Sequence, residues 1–333
     1  MKYKWKPVTA VILSSFILFS SPMNVFASGN TISTIEDEMV HNTEGGEETA
    51  AGQETETGER EAEQENPGDS GEAGSDIFWP SGPSVVAESG IVMEVSTGTV
   101  LYSKNMHAQY YPASITKIMT ALLALEAAQE RGDPLVDITQ EMVAVEGSSM
   151  GLQAGDSISL TGLVAGMLLA SGNDAANAAA LYLDGSLESF AARMNQRAAA
   201  LGMEDTHFVT PSGLDGEDAQ GLGHLSTAYD MALLARAALE DQAFRQLCSS
   251  PSLAVEFAEP VKRVTYTNHN KLLAQYQGCV GVKTGFTKEA GRCLVSAAER
   301  DGALLIAVTL NAPNDWEDHA ALLDYGFTQV EPY

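Results

Sequence analysis

Apolar and polar residues alternate over residues 85–95, break at Ser96-Thr97-Gly98 and resume over 99–102, which predicts a β-hairpin. The period then lengthens. Over residues 113–130, Ile118, Leu122 and Leu125 recur with apolar neighbours at helical spacing, and Arg131-Gly132-Asp133-Pro134 supplies a stop. Over 161–248 the same period predicts one helix ending near Ala170, others over 175–183 and 187–201, and a fourth opened by the capping pattern Thr227-x-x-Asp230. Beyond Leu253, strand-like runs return around Val264 and over 280–286, 293–298 and 304–310, and Asn314-x-x-Glu317 opens a last helix. The order of strands, helices, strands and helix predicts an α+β fold. Its antiparallel sheet takes its first and last pieces from opposite ends of the chain, is flanked by N- and C-terminal helices, and holds an inserted all-helical lobe between them.

Two stretches ahead of this region are of a different kind. Lys2, Lys4 and Lys6 precede an apolar run over 8–19, and Val25-Phe26-Ala27 has the small-residue pattern of a signal peptidase cut, so residues 1–27 read as an export signal. The run is shorter than the roughly 20 residues a spanning helix needs. No Cys lies near the cut to carry a lipid anchor. Residues 28–76 are mostly Glu, Gly, Thr, Ser and Ala. With so few residues able to build a core, the segment cannot offset its ordering entropy, and an acidic disordered linker is expected there. Residues 77–333 are enough for one domain of two lobes.

Charge sharpens the division. The chain carries 45 Asp and Glu against 18 Lys and Arg, a formal net charge of −27, made up of +3 over 1–27, −14 over 28–76 and −16 over 77–333. Such a balance argues against nucleic acid, whose binding draws on clustered Lys and Arg. Cys248, Cys279 and Cys293 are odd in number and have no disulfide or metal spacing, so buried free thiols are expected. If the strands near Phe286 and Arg292 form a hairpin, Cys279 faces the neighbourhood of Glu299, not Cys293. The six His form no H-E-x-x-H and no Gly-rich phosphate loop occurs, so neither metal nor nucleotide cofactor is indicated.

Three short motifs remain. Ser114-Ile115-Thr116-Lys117 opens the long helix, where positions i and i+3 share a face, and its Lys lies in an otherwise apolar stretch that would lower its pKa. Ser171-Gly172-Asn173 breaks two apolar helices, and Lys283-Thr284-Gly285, continued by Phe286-Thr287, lies on a strand. Each has an ordinary structural explanation: an exposed helix face, a self-satisfied turn, an edge strand. Their joint occurrence in this order, 57 and 112 residues apart, is far harder to reach by accident.

The triplet S-x-x-K, S-x-N, K-T-G in that order resembles the signature of the penicillin-recognising serine enzymes. Pro112-Ala-Ser-Ile-Thr-Lys-Ile-Met-Thr-Ala-Leu-Leu, Ser171-Gly-Asn-Asp-Ala-Ala-Asn-Ala, Leu201-Gly-Met-Glu-Asp-Thr-His-Phe, Ser226-Thr-Ala and Val282-Lys-Thr-Gly-Phe-Thr narrow it. Over residues 84–328 the chain resembles the serine D-Ala-D-Ala carboxypeptidases, the low-molecular-mass penicillin-binding proteins. The resemblance implies a β-lactamase/transpeptidase-like fold, a peptidoglycan stem peptide as substrate and β-lactams as covalent inhibitors. It implies Ser114 as nucleophile, Lys117 as its base, Ser171 as proton relay to the leaving amine and Asn173 as partner of the substrate backbone. Lys283 would stay charged and anchor the terminal carboxylate with the hydroxyls of Thr284 and Thr287. Gly285 and Phe286 would join the substrate-binding set, with the N–H groups of Ser114 and Phe286 as oxyanion hole.

Two departures qualify the expectation. The Glu-x-x-Leu-Asn element of class A β-lactamases is missing, and His207, Phe208 and Val209 stand in that neighbourhood, so penicillin should acylate and leave slowly. No stable C-terminal membrane anchor is evident, and an exported enzyme at the wall or periplasmic face is expected. A β-lactamase, a cross-link endopeptidase, and a catalytically weak peptidoglycan or β-lactam binding module are the alternatives.

Overall fold

The computed structural model describes residues 82–330, so the export signal expected at 1–27 and the acidic linker at 28–76 lie outside the described residues. The hairpin predicted first is β1 (Ser89–Glu94) and β2 (Val100–Lys104). Its turn is closed by Glu94, whose carboxylate accepts from the backbone N–H and the hydroxyl of both Ser96 and Thr97. A 3-10 turn, Ala113–Thr116, leads into α1 (Lys117–Arg131), which ends at Gly132 with φ 75°. Glycine adopts that left-handed conformation without a Cβ penalty, which is why the predicted stop falls there.

The next stretch holds β3 (Leu135–Asp137), α2 (Gln140–Val143), β4 (Ser157–Ser159), α3 (Leu160–Leu169) and α4 (Asn173–Asp184). After α5 (Leu187–Ala200), α6 (Ala228–Glu240) and α7 (Gln242–Cys248) come β5 (Ser252–Glu259), β6 (Lys262–Thr267) and α8 (Leu272–Gln275). The chain returns through β7 (Cys279–Thr287), β8 (Gly291–Arg300) and β9 (Ala303–Leu310) to α9 (Asp315–Gln329). Ser159, Ser186, Thr227 and Asp241 cap α3, α5, α6 and α7 by accepting the N–H three residues on. Asn314 gives no side-chain cap to α9, which instead carries Asp315, Glu317 and Asp318 in its first turn, where carboxylates meet the positive end of the helix dipole.

The main sheet is antiparallel with order β2-β1-β9-β8-β7, so the last strand of the chain lies beside the first, as the element order predicted. Its central strands run almost continuously apolar because both faces are covered. Leu322 and Leu323 of α9 pack on one face with Leu305 and Ala307. The helical lobe, through Ile118, Leu122, Leu163 and Met231, packs on the other with Ile306 and Val308. Cys279 faces Ala298 and Cys293 faces Gly285, and all three cysteines are free thiols.

The lobe is not wholly helical, which corrects one part of the expectation. β3 and β4 pair with the β5–β6 hairpin in a second, four-stranded sheet of order β3-β4-β5-β6. Two strands of three residues are too short for alternation to register in the sequence.

Helix α9 is pinned by a polar group. His319, fully buried, has Nδ1 2.6 Å from Ser296 Oγ and Nε2 2.9 Å from Thr309 Oγ1. Burial lowers its pKa from 6.5 to about 3, so it is neutral in the folded protein. Between these values the unfolded chain binds the proton and the folded chain does not, so stability is present above pH 6.5 and is lost as pH falls toward about 3. Chemical denaturation midpoints should therefore fall over that window. His319→Phe, with no ring to titrate, should be less stable at pH 7 but should lose less on acidification.

Candidate active site

Ser114 lies in the 3-10 turn rather than in the α-helix proper. In a 3-10 turn residues i and i+3 eclipse, which stacks Ser114 on Lys117 more closely than an α-helical face would. The turn begins from Ala113 at φ 49°, a conformation that costs a residue with a Cβ and recurs where backbone is held for function. Lys117 Nζ is 2.8 Å from Ser114 Oγ, 2.7 Å from Asn173 Oδ1 and 2.7 Å from the Ser212 carbonyl oxygen. Its side chain is fully buried. Burial first, and the charge of Lys283 second, hold its pKa well below the usual lysine value, against an opposing pull from Asp174.

The second motif sits between α3 and α4 with Ser171 at φ 58°. Asn173 opens α4, gives its Nδ2 to the Glu146 carbonyl at 2.7 Å and accepts from Lys117 with Oδ1. Asp174 follows, and its carboxylate accepts from the N–H groups of Met150, Gly151 and Leu152 at 2.9, 3.1 and 3.0 Å. Asp174 thereby clamps the segment before β4 onto the turn that presents Ser171 and Asn173. Sequence reasoning passed over Asp174, although an acid in the first turn of a helix was visible.

Strand β7 is the edge of the main sheet, so one side of its backbone faces the lobe instead of another strand. Lys283 Nζ donates to Ser171 Oγ at 2.8 Å and to the Thr284 carbonyl at 2.7 Å. Burial lowers it to about 7, so near neutral pH its ammonium is only marginally held. Gly285 passes so close to the 3-10 turn that a Cβ on it would lie 3.0 Å from Ser114 N and from Ile115 N. The Phe286 ring, 64% exposed, projects into solvent. The Thr284 hydroxyl has no partner among the described residues, whereas Thr287 Oγ1 donates to Asp215 Oδ1 at 3.1 Å and accepts from Ala290 N. Ser114 and Asn173 thus meet at the Lys117 amine, Ser171 is bonded to Lys283 and Gly285 lies against the Ser114 turn, whereas Phe286 is exposed and the Thr287 hydroxyl is turned to Asp215.

The loop over 209–215 completes the site and was missed, because its key contribution is a backbone carbonyl with no residue-type signal. Besides the Ser212 carbonyl, Pro211 accepts from Thr120 Oγ1 at 2.6 Å. Gly213, at φ 83°, lies against Ala113, where a Cβ would be 1.9 Å from the Ala113 carbonyl oxygen. Fully buried His224 accepts at Nδ1 from Val209 N and Thr210 N at 2.8 and 3.2 Å. Its proton is therefore on Nε2, directed to Thr116 Oγ1 at 2.9 Å, and burial lowers its pKa to about 3. His269, also unforeseen, is lowered by partial burial and then by the charge of Lys283. Among the described residues no group of three or more His, Cys, Asp or Glu is arranged to hold a metal ion.

Residues 77–314 match the peptidase S11 family, D-alanyl-D-alanine carboxypeptidase. The chain belongs to that family. It is 35% identical over 253 residues to D-alanyl-D-alanine carboxypeptidase DacF of Bacillus subtilis, covering 74% of this chain and 64% of the relative, which is under two thirds of DacF's length. It is also 35% identical over 254 residues to DacB2 of Mycobacterium tuberculosis, covering 74% of this chain and 84% of that one. The crystal structure of the Streptomyces K15 DD-transpeptidase superposes with a TM-score of 0.70 at 32% identity, covering 75% of this chain and all of that one. The fold of this S11 protein is thus that of the penicillin-binding proteins, as the motifs implied.

Gly213 provides a local test of the site. Gly213→Ala in this S11 protein should lower stability by about 2–4 kcal/mol, from the strained φ and the clash with Ala113. It should also disturb the Lys117 contact, because the displaced loop carries the Ser212 carbonyl.

Proposed function

We propose that this protein is a serine-type D-Ala-D-Ala carboxypeptidase that removes the terminal D-Ala from peptidoglycan stem pentapeptides through an acyl-enzyme on Ser114. β-Lactams acylate the same serine. The observation that carries this reading is the set of three contacts at Lys117 Nζ. The Asn173 amide oxygen and the Ser212 carbonyl can only accept, so a neutral amine gives them its two protons and turns its lone pair to Ser114 Oγ–H. That is the geometry of a general base, and burial beside a second lysine favours the neutral form it requires.

The other residues take roles that follow from their positions. Lys283 and the free Thr284 hydroxyl receive the terminal carboxylate, and the negative charge of that anion favours the protonated form of Lys283 that burial makes marginal. Ser171, bonded to Lys283, relays to the departing D-Ala amine the proton that Lys117 took from Ser114, and so keeps its own hydroxyl. The N–H groups of Ser114 and Phe286, brought together because residue 285 has no side chain, receive the carbonyl oxygen as it gains charge. Asn173 keeps the base in place through Oδ1, and the Nδ2 hydrogen not given to Glu146 is available to the donor backbone. Water then hydrolyses the acyl-enzyme. Around 207–210, where a class A β-lactamase would present a deacylating Glu, backbone N–H groups are bonded to His224, and a β-lactam adduct persists.

The substrate lies outside the cytoplasmic membrane, and the signal-like pattern at 1–27 agrees with export to reach it, the acidic 28–76 segment serving as linker. No helix of the described residues is long and apolar enough to cross a membrane.

Incubating the protein with a muramyl pentapeptide and with a cross-linked dimer, and reading products by mass, tests the reaction. Loss of one Ala from the pentapeptide is expected; cleavage of the dimer alone, or penicillin turnover at β-lactamase rates, would overturn the assignment. Ser114→Ala should take no penicillin label, and Lys117→Met should slow labelling by about 10²–10⁴-fold. Because Lys117 must be neutral, the labelling rate of the wild type should fall as pH is lowered. In Lys283→Met the neighbouring charge that depresses Lys117 is gone, so this acid limb should move to higher pH.

A further inference from the structure

The loop over 210–215 touches three parts of the site in succession. Its Pro211 carbonyl accepts from Thr120 of α1, its Ser212 carbonyl from Lys117, and Gly213 lies against Ala113 at the start of the nucleophile turn. Two residues later the chain leaves that turn, and Asp215 accepts from Thr287 on β7. On the other side of the nucleophile, β7 approaches the same turn through Gly285. Loop, turn and edge strand thus form a closed triangle around Ser114. Two of its sides are direct backbone approaches made possible by glycines, and the third is the Asp215–Thr287 hydrogen bond.

We propose that Asp215 is a positioning residue whose bond to Thr287 straps the loop bearing the Ser212 carbonyl to the strand bearing the Phe286 N–H. The strap keeps the base and the oxyanion-stabilising edge in register across the nucleophile. Thr287 has one hydroxyl proton, and it is given to Asp215; the oxygen also accepts from Ala290 N. The hydroxyl is therefore a structural tie and donates nothing further to a substrate carboxylate. Strand β7 needs such a tie because β8 holds it on one side only. A shift of the order of 1 Å between groups that act together can cost about a hundredfold in rate. The residue acts through the loop and the strand, and touches no reacting atom.

The inference rests on acylation of Ser114, and the test separates the two. The rate of covalent labelling by a fluorescent penicillin is measured on the full chain for wild type, Asp215→Ala, Asp215→Asn, Thr287→Val, Thr287→Ser and the Asp215→Ala/Thr287→Val pair. Melting temperature is recorded beside each rate. Asp215→Ala and Thr287→Val should each slow labelling about ten- to a hundredfold. The pair should be no slower than its slower member, as for two ends of one bond. Asp215→Asn, which keeps an acceptor oxygen, and Thr287→Ser, which keeps the donor, should recover most of the loss, and the acid limb set by Lys117 should stay where it is. Additive losses, an Asn variant as slow as the Ala variant, a rate that tracks melting temperature alone, or undisturbed labelling in Asp215→Ala would each overturn the strap. Absence of label on the wild type would overturn the acyl-enzyme reading, and the strap's role with it.

Discussion

A lysine buried away from water must either shed its charge or find an oxygen for each of its protons, and Lys117 meets that constraint in a way that organises the site. Two of its three contacts come from oxygens that can only accept, one on α4 and one on the loop over 209–215, and the third is the Ser114 hydroxyl. Each contact recruits a different part of the chain. Asp174 holds the segment that flanks Asn173, and neutral His224 holds the loop that presents the Ser212 carbonyl. Removing any of these supports would leave a buried amine with an unpaired proton, a costly state for a group that cannot reach solvent.

The same site joins the two halves of the molecule. Lys283 belongs to the main sheet and Ser171 to the lobe, and their bond crosses the cleft between them. When Lys283 carries its proton it creates a local positive potential inside a protein whose formal net charge is −27. The global charge says little about what this cleft binds, because fields within a few ångströms of a buried group are set by the groups that line it. In the proposed reaction it is Lys283 that the carboxylate of the substrate would meet.

Much of this was legible beforehand. The hairpin at the start, the glycine stop of α1, the Thr227 cap and the pairing of early with late strands all follow from periodicity and from turn chemistry that acts over a few residues. The three motifs were recognisable because their spacing within each motif encodes a local geometry. What could not be read were contributions made by backbone or by contact at a distance: the Ser212 carbonyl, the space left by Gly213 against Ala113, the acceptance of Lys117 by Asn173. The small second sheet escaped notice because its shortest strands have no room for alternation.

By itself, then, the sequence determined the three motifs, the stop of α1 and the cap of α6, and the pairing of the first strands with the last. Tertiary structure alone decided which oxygen atoms surround Lys117, that Thr287 spends its proton on Asp215, and that β7 lies within van der Waals reach of the turn carrying Ser114. The physical reason is one of range. Periodicity and capping act between residues three or four apart, whereas the state of a buried amine depends on partners 56 and 95 residues away in the chain, which only packing of the lobe against the sheet brings into contact.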